Sequence, residues 1–211
     1  MKISILGAGR VGGNLARALA SKGHEVVLGH LDPVAAAEHW QGPVVQHSTL
    51  AGATASSTVV IHATPGNSAL EMLSSLREQL DGKVLLDVSN ATERLPSGMP
   101  GGLCYPNSSL AEKLQAALPT TRVVKSLNTM LFSAMTAPSS LQAPPTAYLS
   151  GNDSDAKSTV LALLNDLGWS NEWVLDLGGI ESARATEALV LMVPHIIGTK
   201  GFRPFAVSVV F

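Results

Sequence analysis

The sequence predicts an α/β protein with a doubly wound, mostly parallel sheet, finished by a small C-terminal segment of helix and strand. Three observations carry that reading. Short apolar runs alternate with helix-patterned stretches over the first two-thirds of the 211 residues. Most of those runs are continuously apolar rather than alternating, as strands covered on both faces are. A Gly-x-Gly-x-x-Gly turn follows the first run directly.

Taken in order, Lys2–Leu6 reads as the first strand and Val11–Ser21 as the first helix, with Val11, Leu15, Ala18 and Leu19 at helical spacing. Between them stand Gly7, Gly9 and Gly12. The first allows a tight turn, the second lets backbone approach a pyrophosphate, and the third lets the helix pack against the strand. Free amides at the helix start then hold the phosphates. This is the Rossmann pattern, and it predicts a dinucleotide site.

Glu25–Leu28 is the second strand, and the GHLDP that ends it should select the ribose. Asp32 stands about twenty residues beyond Gly12, a spacing suited to a ribose 2′-hydroxyl. It also precedes Pro33, where an aspartate caps the helix predicted over Pro33–Trp40. His30 can donate to a 2′-phosphate, stack on adenine, or simply be solvated.

Thr58–His62 forms the next strand and runs into HATPG, so Ala63, Thr64 and Pro65 should line the cofactor's path at the carboxyl edge of the sheet. His62 reads as a packed strand residue. A helix over Ser68–Leu80 leads to the strand Val84–Val88, whose end places Asp87, Ser89 and Asn90 toward the nicotinamide, or leaves them satisfying the following loop. That loop, Ser89–Pro106, is rich in Pro and Gly. A helix over Ser109–Ala117 and a strand over Arg122–Lys125 bring Lys125 and Asn128 to the same edge. Lys125 could act as an acid, clamp an anion, or snorkel to the surface.

Thr146–Leu149 is then a strand and Asp153–Leu167 a helix, capped by Asp153 or Ser154 and stopped by Gly168. With Val174–Leu177 as a last strand, residues 1–177 read as the dinucleotide-binding domain. Residues 178–211 add a helix from Ile180 to about Met192, a GTKGFRP turn and a β-prone AVSVVF tail, within the same compact unit.

Composition narrows the function. Hydrophobic residues make up 45% and charged ones 14%, as in a globular chain, and the net charge is −2. With no basic block there is no nucleic-acid footprint. The single cysteine, Cys104, excludes an internal disulfide and fits a reducing compartment. No signal peptide or bilayer-spanning run is apparent, so a cytoplasmic, non-membrane protein is expected. The six histidines are scattered and suggest no metal site. An apolar late helix and tail suggest a homodimer.

Several linked stretches, GAGRVGGNLARALASKGHEVVLG, HATPG, LDVSN, SSLAEKLQAALP, RVVKSLNT, LSGNDSDAK and GGIESARATE, resemble the NADP oxidoreductases dependent on coenzyme F420, a deazaflavin. They are also similar to the cytosolic reductase domain of the six-transmembrane metalloreductases. The resemblance implies NADPH in preference to NADH, and hydride exchange with a flavin or F420 as small-molecule redox acceptor. It implies that Gly7, Gly9, Arg10, Val11 and Gly12 bind pyrophosphate, that His30 and Leu31 occupy the place of a Ser-Arg selector for the 2′-phosphate, and that Thr64, Pro65 and Asn90 surround the nicotinamide ribose. Asn128 and a turn around Gly198 and Thr199 would face the acceptor ring, and GFRPFAVSVVF would be the closing strand. The family arginine is absent at Leu31.

Two other readings remain open from the residues. One is a reductase of a C=O or C=N bond in a small metabolite, which needs a proton donor such as Lys125, His62 or Asp87. The other is a non-catalytic dinucleotide-binding redox sensor. No catalytic residue is assigned at this level.

Overall fold

A computed structural model describes residues 1–210. Its strands are β1 (Lys2–Leu6), β2 (Glu25–His30), β3 (Gln46–Thr49), β4 (Val59–His62), β5 (Val84–Asp87), β6 (Thr92–Arg94), β7 (Pro100–Leu103), β8 (Arg122–Lys125), β9 (Ala147–Gly151) and β10 (Val174–Asp176). Its helices are α1 (Arg10–Ser21), α2 (Pro33–Glu38), α3 (Leu50–Ser56), α4 (Ala69–Ser75), α5 (Arg77–Leu80), α6 (Leu110–Ala117), α7 (Phe132–Thr136), α8 (Ser154–Asp166), α9 (Ala183–Ala188) and α10 (Val193–Lys200).

Eight strands form one sheet in the order β10-β9-β8-β5-β4-β1-β2-β3. From β3 through β8 every pairing is parallel; β9 runs antiparallel to β8, and β10 parallel to β9. The predicted Rossmann-type, doubly wound and mostly parallel sheet is therefore present. The chain order reverses between β1 and β4, and a crevice opens there beyond the carboxyl ends of the strands. Both faces of the sheet are covered over its central strands, which is why β1, β2, β4, β5 and β8 carry continuous apolar runs. Ile3, Ile5, Leu28, Ile61 and Leu86 pack with α1 and α8 on one face. Leu6, Val27, Val60, Leu85 and Val123 pack with α4 and α6 on the other.

Several details depart from the sequence reading. Beyond the elements that the sequence predicts, the structure adds β3, α3 and α7. The Ser89–Pro106 loop contains the antiparallel β6–β7 hairpin. Gly198 and Thr199 do not form a turn: α10 runs through them to Lys200, and the chain turns at Gly201, whose φ is 74°. The tail is no closing strand over its described residues. It makes one antiparallel bridge, Ala206 to Met130, and otherwise docks through side chains, Tyr148 Oη donating to the Val207 carbonyl and Thr146 bonding to Ser208 and Val209; Phe211 lies outside the described residues. Among the described residues no helix is long and apolar enough to cross a membrane.

Candidate functional site

The crevice at the switch point is a cavity of about 940 Å³. Its floor is the glycine-rich turn after β1. Gly7 has φ +91°, and a Cβ there would meet the Ala63 carbonyl at 2.9 Å. A Cβ on Gly12 would lie 1.8 Å from the Gly7 carbonyl oxygen, so the start of α1 rests on the turn itself. Over Gly9 the space is open, with nothing within 4 Å of an added Cβ. Gly9 caps α1 without a side-chain hydrogen bond, and the first turn carries no acid. A bare helix start, facing an open cavity across a glycine, fits a pyrophosphate. Arg10 and Val11 also line this end. The Arg10 guanidinium lies 5.9 Å from the Phe132 ring centre and 5.6 Å from that of Phe202, so two aromatic faces hold it at the rim.

At the end of β2, His30, Leu31 and Asp32 line the cavity. Leu31 is 93% exposed and presents no polar group. Asp32 is engaged as the cap of α2, accepting from the Val34 and Ala35 amides at 3.2 and 3.1 Å. His30 has a partner that the sequence did not announce. His47 on β3 stacks on it with ring centres 5.1 Å apart, and their nitrogens, Nε2 of His30 and Nδ1 of His47, are 3.0 Å apart. Partial burial, then the neighbouring His47, push the His30 ring below the ordinary histidine value. Only the β2–β3 pairing brings the two together, and β3 carries no apolar run that would reveal it.

Ala63, Thr64, Pro65, Asn90 and Asn128 line the cavity's middle and far end. Asn90 and Asn128 clasp each other: Asn90 Nδ2 donates to the Asn128 carbonyl at 2.8 Å, and Asn128 Nδ2 to Asn90 Oδ1 at 2.9 Å. The backbone is strained beside this clasp, since Leu127 has φ 62° and is buried. Arg94, on the β6–β7 hairpin, adds a cation to the wall that no local sequence signal predicted. Gly198 and Thr199 do not line the cavity; the Thr199 hydroxyl donates back to the His195 carbonyl within α10.

Beneath the far end lies a buried polar row. The registers place Leu6, His62, Asp87 and Lys125 side by side across β1, β4, β5 and β8. Partners in register share a face, so three polar side chains meet within the sheet's covered side. Asp87 Oδ1 lies 2.9 Å from His62 Nδ1, and Oδ2 accepts from Lys125 Nζ at 2.8 Å. Lys125 also pairs with Glu187 of α9 at 2.8 Å. Lys125 is 1% exposed, so it does not snorkel. Burial alone would push the Asp87 carboxyl up, but the Lys125 ammonium and His62 outweigh it and hold the carboxyl well below the usual range.

The geometry has relatives. The family described as NADP oxidoreductase, coenzyme F420-dependent, matches residues 2–91. A crystal structure from Arthrobacter sp. FB24, of a protein proposed to be an F420-dependent NADP reductase, is 36% identical, covers 100% of both chains and superposes with a TM-score of 0.90. The rat metalloreductase STEAP3 is 32% identical over 90% of this chain, which spans 36% of that protein. The F420-dependent NADP reductase of Methanocaldococcus jannaschii is 27% identical over 66% of this chain and 60% of its own length.

Proposed function

The chain belongs to the coenzyme F420-dependent NADP oxidoreductase family, and we propose that it exchanges a hydride between NADP(H) and a flavin-like or deazaflavin acceptor. The observation that carries this reading is the continuity of the cavity. It runs from the uncapped start of α1 and His30, past Thr64, to the Asn90–Asn128 clasp and Arg94, room enough for a dinucleotide with a second planar ring beside it.

When bound, the nicotinamide supplies the hydride, and the protein's part is positioning and electrostatics. The amides at the start of α1 hold the pyrophosphate, with Arg10 able to close over it from the rim. The His30–His47 edge takes the 2′-phosphate, a role Asp32 leaves open by turning its carboxylate to α2. Asn90 and Asn128, locked to one another, fix the walls between which two rings stack. At a separation of about 3–3.5 Å such stacking makes the transfer effectively unimolecular. The expected homodimer would draw on the C-terminal segment, where Leu191 and Met192 are exposed.

Mixing the protein with NADPH and F420 should bleach the deazaflavin absorbance, with NADPH preferred over NADH. Turnover of a small imine or carbonyl compound, with none of F420, FAD or FMN, would overturn the acceptor assignment. Tight dinucleotide binding without turnover of any acceptor would make the protein a sensor.

The selector has its own test. His30→Ala is expected to lower the NADPH-over-NADH preference about tenfold, as loss of a charge-assisted contact to phosphate would. Wild-type affinity for NADPH should rise between pH 8 and pH 6.5, because phosphate favours the protonated ring while the free site disfavours it. Asp32→Ala should instead cost about 1 kcal/mol of helix capping and leave the preference unchanged. Fluorescence titrations with both dinucleotides separate these outcomes.

A further inference from the structure

The buried row is more than a brace, because one end of it surfaces in the cavity. Thr64 Oγ1 lies 2.7 Å from His62 Nε2. The threonine is half-buried and lines the cavity, while His62 and Asp87 are fully buried. A hydroxyl, an imidazole and a carboxylate therefore stand in line, at 2.7 and 2.9 Å. This is the geometry in which a proton can pass from one group to the next.

The hydrogen-bond directions are constrained. Asp87 is held as the carboxylate by Lys125, and Oδ1 also accepts from the Ser89 amide and hydroxyl. It can only accept, so Nδ1 of His62 bears a proton and Nε2 faces Thr64. With one ring proton, Nε2 accepts from the Thr64 hydroxyl, and the threonine offers the cavity only lone pairs. With two, Nε2 donates, and the Thr64 O–H turns outward as a donor. Among the described residues the charges facing this ring are few. Asp87 comes from β5, Lys125 from β8 and Glu187 from α9, while Leu6 of β1 and the Ala69, Leu73, Leu110 and Ala111 of α4 and α6 on the same face are apolar. Two carboxylates thus stand against one ammonium, and a second ring proton on His62 evens the count.

We propose that Thr64, His62 and Asp87 form a proton relay serving the hydride transfer. Thr64 touches the ligand, His62 stores the proton, and Asp87 positions the ring. This rests on the oxidoreductase reading above. A reduced nicotinamide gives up a hydride, meaning two electrons and one hydrogen nucleus. Reduction of a flavin-like or deazaflavin ring needs that hydride and one further proton, which the dinucleotide does not bring. Thr64 releases its hydroxyl proton outward as it takes one from His62 Nε2. The threonine ends unchanged, the ring ends neutral with Nδ1–H still on Asp87, and the acceptor ends with both hydrogens. In the opposite direction every transfer reverses. The hydroxyl at the cavity wall is also the route by which solvent recharges the ring.

A merely structural row would not change protonation with the redox state of its ligand, and that difference is the test. In the full-length protein labelled with 15N-histidine, with His62→Asn identifying the signal, the His62 ring should be doubly protonated in the NADPH complex. In the NADP+ complex at the same pH it should carry a single proton on Nδ1. Stopped-flow transfer from NADPH to F420 should slow in D2O. At saturating NADPH, transfer in Thr64→Val should fall at least about tenfold and lose the solvent isotope effect. Identical ring states in the two complexes, or an unaltered solvent effect in Thr64→Val, would overturn the relay. Should His62→Asn fail to fold, Thr64→Val, at the cavity wall, provides the assignment by shifting the Nε2 signal. If F420 is not turned over at all, the acceptor assignment fails, and the ring states alone decide the relay.

Discussion

Gly12→Ala is expected to abolish dinucleotide binding and to destabilise the fold by about 3 kcal/mol, the upper end of what overpacking one methyl costs. Alanine inside a helix would ordinarily add about 1 kcal/mol of stability over glycine. Here the new Cβ would sit 1.8 Å from the Gly7 carbonyl oxygen. That oxygen belongs to backbone, so α1 must slide off the turn, taking the phosphate-binding amides with it. Gly9→Ala makes the informative contrast. Gly9 has φ −66°, which alanine adopts freely, and its added Cβ meets nothing. The fold should lose less than about 1 kcal/mol, the cost of a poorer cap. NADPH affinity should nonetheless fall about tenfold or more, because the methyl occupies the surface over which the pyrophosphate passes. Chemical denaturation and NADPH titration of both variants separate the roles: Gly12 shapes the protein and Gly9 leaves room for the ligand. Equal stability loss in the two, or wild-type affinity in Gly9→Ala, would contradict the placement of the phosphate.

The contrast also marks what could be read from the chain. Gly7, Gly9 and Gly12 were legible because their spacing is a local requirement of one turn and one helix. The strands β1, β2, β4, β5 and β8 were legible because burial on both faces forces continuous apolar runs. β3 was not. Its residues, Gln46–Thr49, are all at least partly exposed at the sheet's edge, so they need no apolar run and are held by backbone pairing to β2. The stacking of His47 on His30 was hidden for the same reason. The turn expected at Gly198 and Thr199 is instead part of α10, because nothing crowds Gly198 within the helix and the positive φ falls at Gly201. The buried row is a third kind of case. Each of its members was visible as a polar residue near the end of a strand. Their alignment depends on the registers of two parallel pairings, which no stretch of sequence encodes alone.

That alignment sets the largest stability effect expected here. Lys125→Met removes the ammonium that both Asp87 and Glu187 share while keeping most of the side-chain volume. Asp87 keeps its contacts with His62 and Ser89, and Glu187 keeps the amides of Leu110 and Ala111. Both carboxylates nevertheless remain buried without their cation, which costs about 3–5 kcal/mol. The pH dependence identifies the cause. In the wild type the Asp87 carboxyl is held below its ordinary value, so its contribution is present above the unfolded carboxylate range and is lost only as pH falls toward the folded value. Lys125 is displaced upward, burial being outweighed by Asp87 and Glu187, so its contribution holds below the ordinary lysine value and is lost as pH rises through the folded one. Neutral pH therefore lies inside the stable window of both. Without the ammonium, burial is left to dominate Asp87 and pushes its carboxyl up. A group raised on folding stabilises below its unfolded value and loses that contribution as pH rises. The penalty of Lys125→Met should thus be greatest near pH 7–8 and shrink as pH falls toward 5. Urea unfolding across that range would show it. A penalty below about 1 kcal/mol at pH 7, or one that grows toward acid, would mean that the row does not depend on the shared cation.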